Sequence, residues 1–118
     1  MPDLPGEIMD EASQNIQLRQ RLNNEFGEVQ SAQILDLFCN TVGVELDKVR
    51  NSAEAENQRK LMHNSRGLRS VCQSVFVYEM ALTCSEIEAA AEKLDWALID
   101  KLLARLDSEF ESVRNQHQ

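Results

Sequence analysis

Glycine and proline are scarce in this chain of 118 residues. It has 4 glycines and 2 prolines, and both prolines lie within the first five residues. These two residue types punctuate strands and turns, so their scarcity disfavours a fold of many short strands and indicates long helices joined by short turns. The length fits one domain with a single core of modest size.

Positive charge and long apolar runs are also lacking. The chain has 12 Lys and Arg against 20 Asp and Glu, a net charge of −8. Nucleic acid is therefore not an expected partner, because its binding depends on cations that neutralise phosphates. No run approaches the roughly 20 apolar residues that span a bilayer, and none resembles a signal peptide. We expect a cytoplasmic protein that binds neither nucleic acid nor membrane.

Residues that carry metal or redox chemistry are few. The cysteines, Cys39, Cys72 and Cys84, are odd in number and lack metal-ligand spacing, so we expect reduced, buried thiols. There are two histidines, His63 and His117, and neither occurs in a Glu-x-x-His motif. The sequence also lacks a Gly-rich phosphate loop. We therefore expect no metal, no cofactor and no self-contained active site.

Apolar residues recur at alternating spacings of three and four, the pattern of amphipathic helices that bury one face. The clearest example is near the end of the chain: Trp96, Ile99, Leu103, Leu106, Phe110 and Val113. Three further stretches show such a stripe, and a weaker one precedes them. We predict an all-α protein, an up-and-down antiparallel four-helix bundle with an additional short N-terminal covering helix. This domain is expected to span residues 10–114, between a flexible tail (1–9) and a polar tail (115–118).

Capping residues and polar breaks predict the helix boundaries. Ser31 is the expected N-cap of the first bundle helix. A polar break ends that helix, so the next one is expected to begin near Ala53. Asp95 is the expected N-cap of the last helix. The preceding helix has two possible starts: a capping box at Ser85 favours a late one, and the apolar stripe from Val77 favours the earlier one that we adopt.

His63 lies in the middle of a predicted helix, and a glycine, Gly67, follows it by one turn. With Leu61 directed toward the core and about 100° per residue, His63 falls near the centre of the opposite face. The other residues of this exposed face lie within about 60° of His63: Arg59, Arg66, Gly67 and Ser70.

This combination of residue types suits phosphate chemistry. A mid-helix glycine costs about 0.5–1 kcal/mol relative to alanine, and Gly67 would leave a hollow where another molecule can approach. Arg66 supplies a fixed positive charge that suits a phosphate. An exposed imidazole is partly neutral at pH 7, so a ring nitrogen of His63 can act as a nucleophile. Each residue alone is an ordinary surface residue, and only the combination indicates a site.

The segment His63-Asn64-Ser65-Arg66-Gly67-Leu68 resembles the motif of histidine-containing phosphotransfer (HPt) domains. In that family the histidine is typically followed by any residue, leucine, lysine, glycine and small residues. The upstream segment ILDLFCNTVGVELDKVR resembles the first bundle helix of the family, and the resemblance covers residues 15–114. Arg66 keeps the charge of the family's lysine. Ser65 stands where the family has leucine, and Leu68 stands where it has a small residue. Both positions face the core, so the two changes in volume compensate each other. The region around VCQSVFVYEM is longer than usual.

The resemblance implies a phosphocarrier of a two-component phosphorelay. A response-regulator receiver domain, alone or in a hybrid sensor histidine kinase, would pass a phosphoryl group from its aspartate to His63 or take it back. The receiver would bring Mg²⁺ and most catalytic groups, so this chain would be a carrier rather than an enzyme. Arg66 would neutralise phosphate, Gly67 would give the receiver room, and Arg59 and Ser70 would flank the site. We expect a monomer.

Two other functions fit the same residues. The chain could be a phosphate-silent docking or adaptor module that binds a receiver or kinase without phosphotransfer. It could also be a plain helical subunit in which His63 is an ordinary surface residue, and replacing His63 would then change stability by no more than about 0.5 kcal/mol.

Overall fold

The structure, a computed structural model, describes residues 11–117, and these residues form helices and short connections without any strand. The all-α prediction is therefore confirmed. The predicted tail 1–9 lies outside the described residues, and residues 115–117 continue the last helix. None of the described helices is long and apolar enough to cross a membrane. The helices are α1 (Glu11–Phe26), α2 (Glu28–Glu54), α3 (Gln58–Ser74), α4 (Tyr78–Glu92) and α5 (Trp96–His117).

The helices pack around one core. α3 lies against α2 and α4, α5 lies against α4 and α2, and α1 packs on α2 and α5. Within residues 11–117, no pair of Cα atoms within 8 Å joins α2 to α4 or α3 to α5. Burial of each large apolar side chain contributes about 1.5–3 kcal/mol. All five helices supply such side chains: Leu22, Leu46, Leu61, Leu68, Met80, Ile87, Ile99 and Leu106.

The predicted apolar stripes face this core. In α3 the predicted stripe is buried at Leu61, Ser65, Leu68 and Cys72. Its fifth predicted member, Val75, is only half-buried, because α3 has already ended at Ser74. The stripe that begins at Val77 is buried as far as Ala91. Its last predicted member, Leu94, is instead 55% exposed, because α4 has already ended at Glu92.

The three connections that join α2 to α3, α3 to α4 and α4 to α5 share one backbone conformation. Each contains a residue other than glycine in the left-handed region: Glu56 (φ 50°), Phe76 (φ 67°) and Leu94 (φ 59°). The amide after each of these residues donates to a carbonyl in the last turn of the preceding helix, which closes a Schellman motif. These bonds join Asn57 to Ser52, Val77 to Cys72 and Asp95 to Ala90, at 2.8–2.9 Å. The helices thus end without the glycine that usually marks such an end.

The prediction that Ser31 caps α2 is wrong. α2 begins at Glu28, directly after Gly27, whose φ of 84° favours glycine. Ser31 lies one turn inside the helix and is buried, and its hydroxyl donates to the Gly27 carbonyl at 2.7 Å. The left-handed glycine, rather than a serine cap, therefore separates α1 from α2.

The prediction that a helix begins near Ala53 is also wrong. α2 continues through the polar residues to Glu54, because Ser52 and Ala53 are buried against the neighbouring helices. α3 begins at Gln58, and the side chain of Asn57 caps it by accepting a hydrogen bond from the Lys60 amide at 3.1 Å.

The other two boundaries are confirmed. The adopted early start of the fourth predicted helix agrees with α4, which begins at Tyr78, so that Ser85 lies inside the helix. Asp95 caps α5, because its Oδ1 accepts a hydrogen bond from the Leu98 amide at 3.1 Å.

Candidate functional site

The residues of the predicted exposed face lie on the outer surface of α3, between α2 and α4. His63 is exposed near the middle of the helix. Its imidazole makes no hydrogen bond or ion pair with the side chains that the structure describes, which are those of residue 18 and residues 20–115. Both ring nitrogens are therefore open to another molecule. The other predicted site residues are also exposed: Arg59, Arg66, Gly67 and Ser70.

Hydrogen bonds to both neighbouring helices fix the position of α3. On one side, the Asn64 side-chain amide donates to the Ser52 hydroxyl at 2.7 Å and to the Lys48 carbonyl at 3.3 Å, both on α2. On the other side, the Gln58 side chain donates to the Ala91 carbonyl at 2.9 Å, at the end of α4. These contacts hold the backbone beneath His63.

The packing within the chain does not require glycine at position 67. A Cβ atom built on Gly67 would meet only Oε1 of Glu45, at 3.8 Å, which is ordinary van der Waals contact. The backbone there is helical and its φ is not in the left-handed region. An alanine would therefore fit and would favour the helix. The missing side chain gives no packing benefit among the described residues, and it leaves exposed backbone uncovered one turn from His63.

Two cations precede His63 by about one turn. Arg59 and Lys60 are exposed, and their side chains form no ion pair with the residues that the structure describes. Residues three and four positions apart are neighbours on a helix surface, so both can reach an anion held at His63. Arg59 was predicted from the sequence and Lys60 was not, although Lys60 lies three residues before His63.

Arg66 is directed toward α4 rather than standing free. Its Nε donates to Oε1 of Glu88 at 3.2 Å, and Nη1 of Arg69 lies 2.9 Å from the other carboxylate oxygen of Glu88. The Glu88 side chain is 12% exposed, so the two arginines neutralise a nearly buried carboxylate. This ion-pair cluster depends on the alignment of α3 with α4, and Glu88 was therefore not among the residues predicted from the sequence.

The two positions that depart from the HPt motif both face the core. Ser65 and Leu68 are fully buried, as predicted. The Ser65 hydroxyl has no hydrogen-bond partner among the described residues. Compared with the leucine of the HPt motif, Ser65 therefore fills less apolar volume in the core, and it leaves a buried hydroxyl without a hydrogen bond.

Burial makes the three cysteines poor candidates for a competing reactive centre. Cys72 and Cys84 are buried, and burial raises the pKa of both thiols, that of Cys84 to about 12. Cys39 is half-buried, and burial raises its pKa as well. Thiols with raised pKa values are poor nucleophiles at neutral pH. Among the side chains that the structure describes, no group of three or more His, Cys, Asp or Glu residues could hold a metal ion.

A groove of about 460 Å³ lies between α2 and α5, on a different side of α2 from α3. Its charged residues pair with one another: Arg50 with Asp47 at 2.9 Å and with Asp107, and Arg114 with Glu111 at 3.5 Å. These pairs account for the charges of the groove, so it does not compete with the face around His63 as an anion site.

Comparison of the chain with models of known protein families, with curated proteins and with solved structures found no match. We therefore infer a function from the residues of this chain and their geometry.

Proposed function

We propose that the chain is an HPt-type phosphocarrier of a two-component phosphorelay, with His63 as the phosphoacceptor. The observation that carries this proposal is the exposed imidazole of His63, which has no partner among the side chains that the structure describes. Beside it lies Gly67, where the packing of the described residues would accept an alanine. Two features also support an up-and-down antiparallel bundle of α2 to α5, with α1 as the added helix. Connections of only three residues join each of these helices to the next, and α5 contacts both α4 and α2.

In the proposed reaction, the neutral imidazole of His63 attacks an acyl phosphate on the receiver. A bond forms between Nε2 and phosphorus, and the bond between phosphorus and the aspartate oxygen breaks. The carboxylate leaves with the electron pair, and Nδ1 keeps its proton during the step. The reverse reaction returns the phosphoryl group to an aspartate.

The chain contributes the nucleophile and the local charge, whereas the receiver contributes the rest. Arg59 and Lys60 attract the phosphorylated partner, Gly67 gives its backbone room to approach, and Ser70 lies on the same face. Mg²⁺ is held by the receiver, so the chain needs no cofactor and is not an enzyme by itself. We propose that it acts as a cytoplasmic monomer that docks transiently to a receiver domain or hybrid sensor kinase.

Phosphotransfer from receivers tests the proposal. Purified wild type, His63→Gln and His117→Gln are incubated with receiver domains that carry labelled phosphate, in the presence of Mg²⁺. We expect label that is acid-labile and base-stable on wild type and His117→Gln, and none on His63→Gln. Equal labelling of all three proteins would contradict the assignment of His63.

One observation favours a phosphate-silent docking module as the second candidate. Arg66, which stands where the HPt family has its lysine, is paired with Glu88 instead of being free beside His63. In that case a receiver binds with the same affinity to wild type and to His63→Gln, and neither protein takes up label.

A further inference from the structure

Glu88 binds two arginines that differ in exposure. Arg69 lies 2.9 Å from Oε2 and its side chain is 30% exposed, whereas Arg66 lies 3.2 Å from Oε1 and is 57% exposed. Arg69 is also anchored to α4, because its Nη1 donates to the Ser85 hydroxyl at 3.4 Å. Arg69 is thus the inner partner of the carboxylate, and Arg66 is the outer partner.

Two partners make the outer arginine easy to release. A nearly buried carboxylate that lost its only cation would be strongly disfavoured. Glu88 keeps Arg69 when Arg66 leaves, so the carboxylate stays neutralised. The cost of releasing Arg66 is therefore that of breaking a half-exposed ion pair, which is small.

Arg66 has an alternative anion within reach when His63 is phosphorylated. The two residues are three positions apart on one helix, so their side chains project from adjacent turns. A phosphoryl group on His63 would present several oxygens to the planar guanidinium, which binds phosphate through two parallel hydrogen bonds.

On the basis of the phosphocarrier function, we propose that Arg66 exchanges partners, binding Glu88 in the unphosphorylated protein and the phosphoryl group in the phosphorylated one. Glu88 is then a positioning residue that withholds Arg66 and so sets how readily His63 accepts phosphate. Glu88→Gln removes the competing charge, keeps an oxygen acceptor and frees Arg66 for the phosphoryl group.

A double-mutant cycle with phosphoramidate as the donor tests this exchange. In that reaction the bond from phosphorus to the donor nitrogen breaks, ammonia leaves, and the bond to His63 Nε2 forms. We expect Glu88→Gln to accelerate phosphorylation about two- to fivefold, because this is the factor in rate that corresponds to the free energy of a half-exposed ion pair. The acceleration should vanish in the Arg66→Ala background. Glu86→Gln is the matched control, because Glu86 pairs with Arg105 of α5 at 2.6 Å, and its rate should equal that of wild type.

The outcomes separate this inference from the function on which it rests. A wild type that takes no label from phosphoramidate or from any receiver overturns both. A labelled wild type with an unchanged or slower Glu88→Gln variant overturns the exchange of partners alone. If Glu88→Gln does not fold, Arg66→Ala decides: we expect an unchanged melting temperature and slower phosphorylation, and a wild-type rate would overturn the inference.

Discussion

Replacing Gly67 with alanine should stabilise the protein and weaken its function. The added methyl group meets only Glu45 Oε1 at 3.8 Å, so nothing within the chain has to move. Alanine is favoured over glycine in a helix interior by about 0.5–1 kcal/mol. For a domain of this length, that gain raises the melting temperature by about 2–4 °C. Thermal and urea unfolding followed by circular dichroism at 222 nm measure it.

The same methyl group should obstruct a partner that packs on the bare backbone. Overpacking of a fitted contact costs about 1–3 kcal/mol, a loss of about 5- to 150-fold in the affinity for a receiver. Gly43→Ala is the matched control, because Gly43 is also helical, lies on the groove between α2 and α5, and would place its new methyl group more than 4 Å from any neighbouring side chain. It should gain the same stability and keep wild-type docking. A Gly67→Ala variant that is less stable than wild type would refute the reasoning.

The connections and the core give three further predictions. Glu56→Gly should raise the free energy of unfolding by about 1 kcal/mol in urea titrations, because glycine adopts the left-handed φ of 50° without strain. Ala55→Gly is the control and should lower the free energy of unfolding, because φ at Ala55 is −78° and no strain is relieved there. Ser65→Ala should raise the same quantity by about 1–2 kcal/mol by removing a buried, unsatisfied hydroxyl, and a loss of stability would show that the hydroxyl has a partner. The thiols of Cys72 and Cys84 have pKa values raised by burial from 9.0, so the unfolded chain releases their protons first as the pH rises. Their contribution to the free energy of unfolding is complete below about pH 9. Above about pH 9, the free energy of unfolding should fall by about 1.4 kcal/mol per pH unit for each thiol. Urea titrations between about pH 8 and 10.5 measure this slope, which should be shallower in Cys72→Ala than in wild type. If the free energy of unfolding of wild type did not change over this range, the raised pKa values of the thiols would be contradicted.

The helices could be predicted from the sequence, but several of their ends could not. Periodic apolar residues require burial whatever the details of packing, so the sequence predicts the stripes of α3 and α5 directly. Asp95 was identified because its side chain makes a local cap. The end of α2 was missed because a glutamate, Glu56, occupies the left-handed position where a glycine would have marked the boundary.

The candidate site was predicted as far as one helix determines it. The exposure of His63 and Gly67 follows from the turn of about 100° per residue, which is a local property. The partner of Arg66 depends on the alignment of α3 with α4, and a single sequence does not encode that alignment in any short pattern. Glu88 could therefore be identified only in the structure, where its carboxylate lies 3.2 Å from the guanidinium of Arg66.

The assignment of His63 as the phosphoacceptor is tested by locating the phosphoryl group on the phosphorylated chain. The protein is labelled by a receiver or by phosphoramidate, digested under neutral to alkaline conditions that preserve phosphohistidine, and sequenced by tandem mass spectrometry. We expect a phosphoryl group on the imidazole of His63. A phosphoryl group on His117 or on another residue, or a chain that no donor phosphorylates, would contradict it.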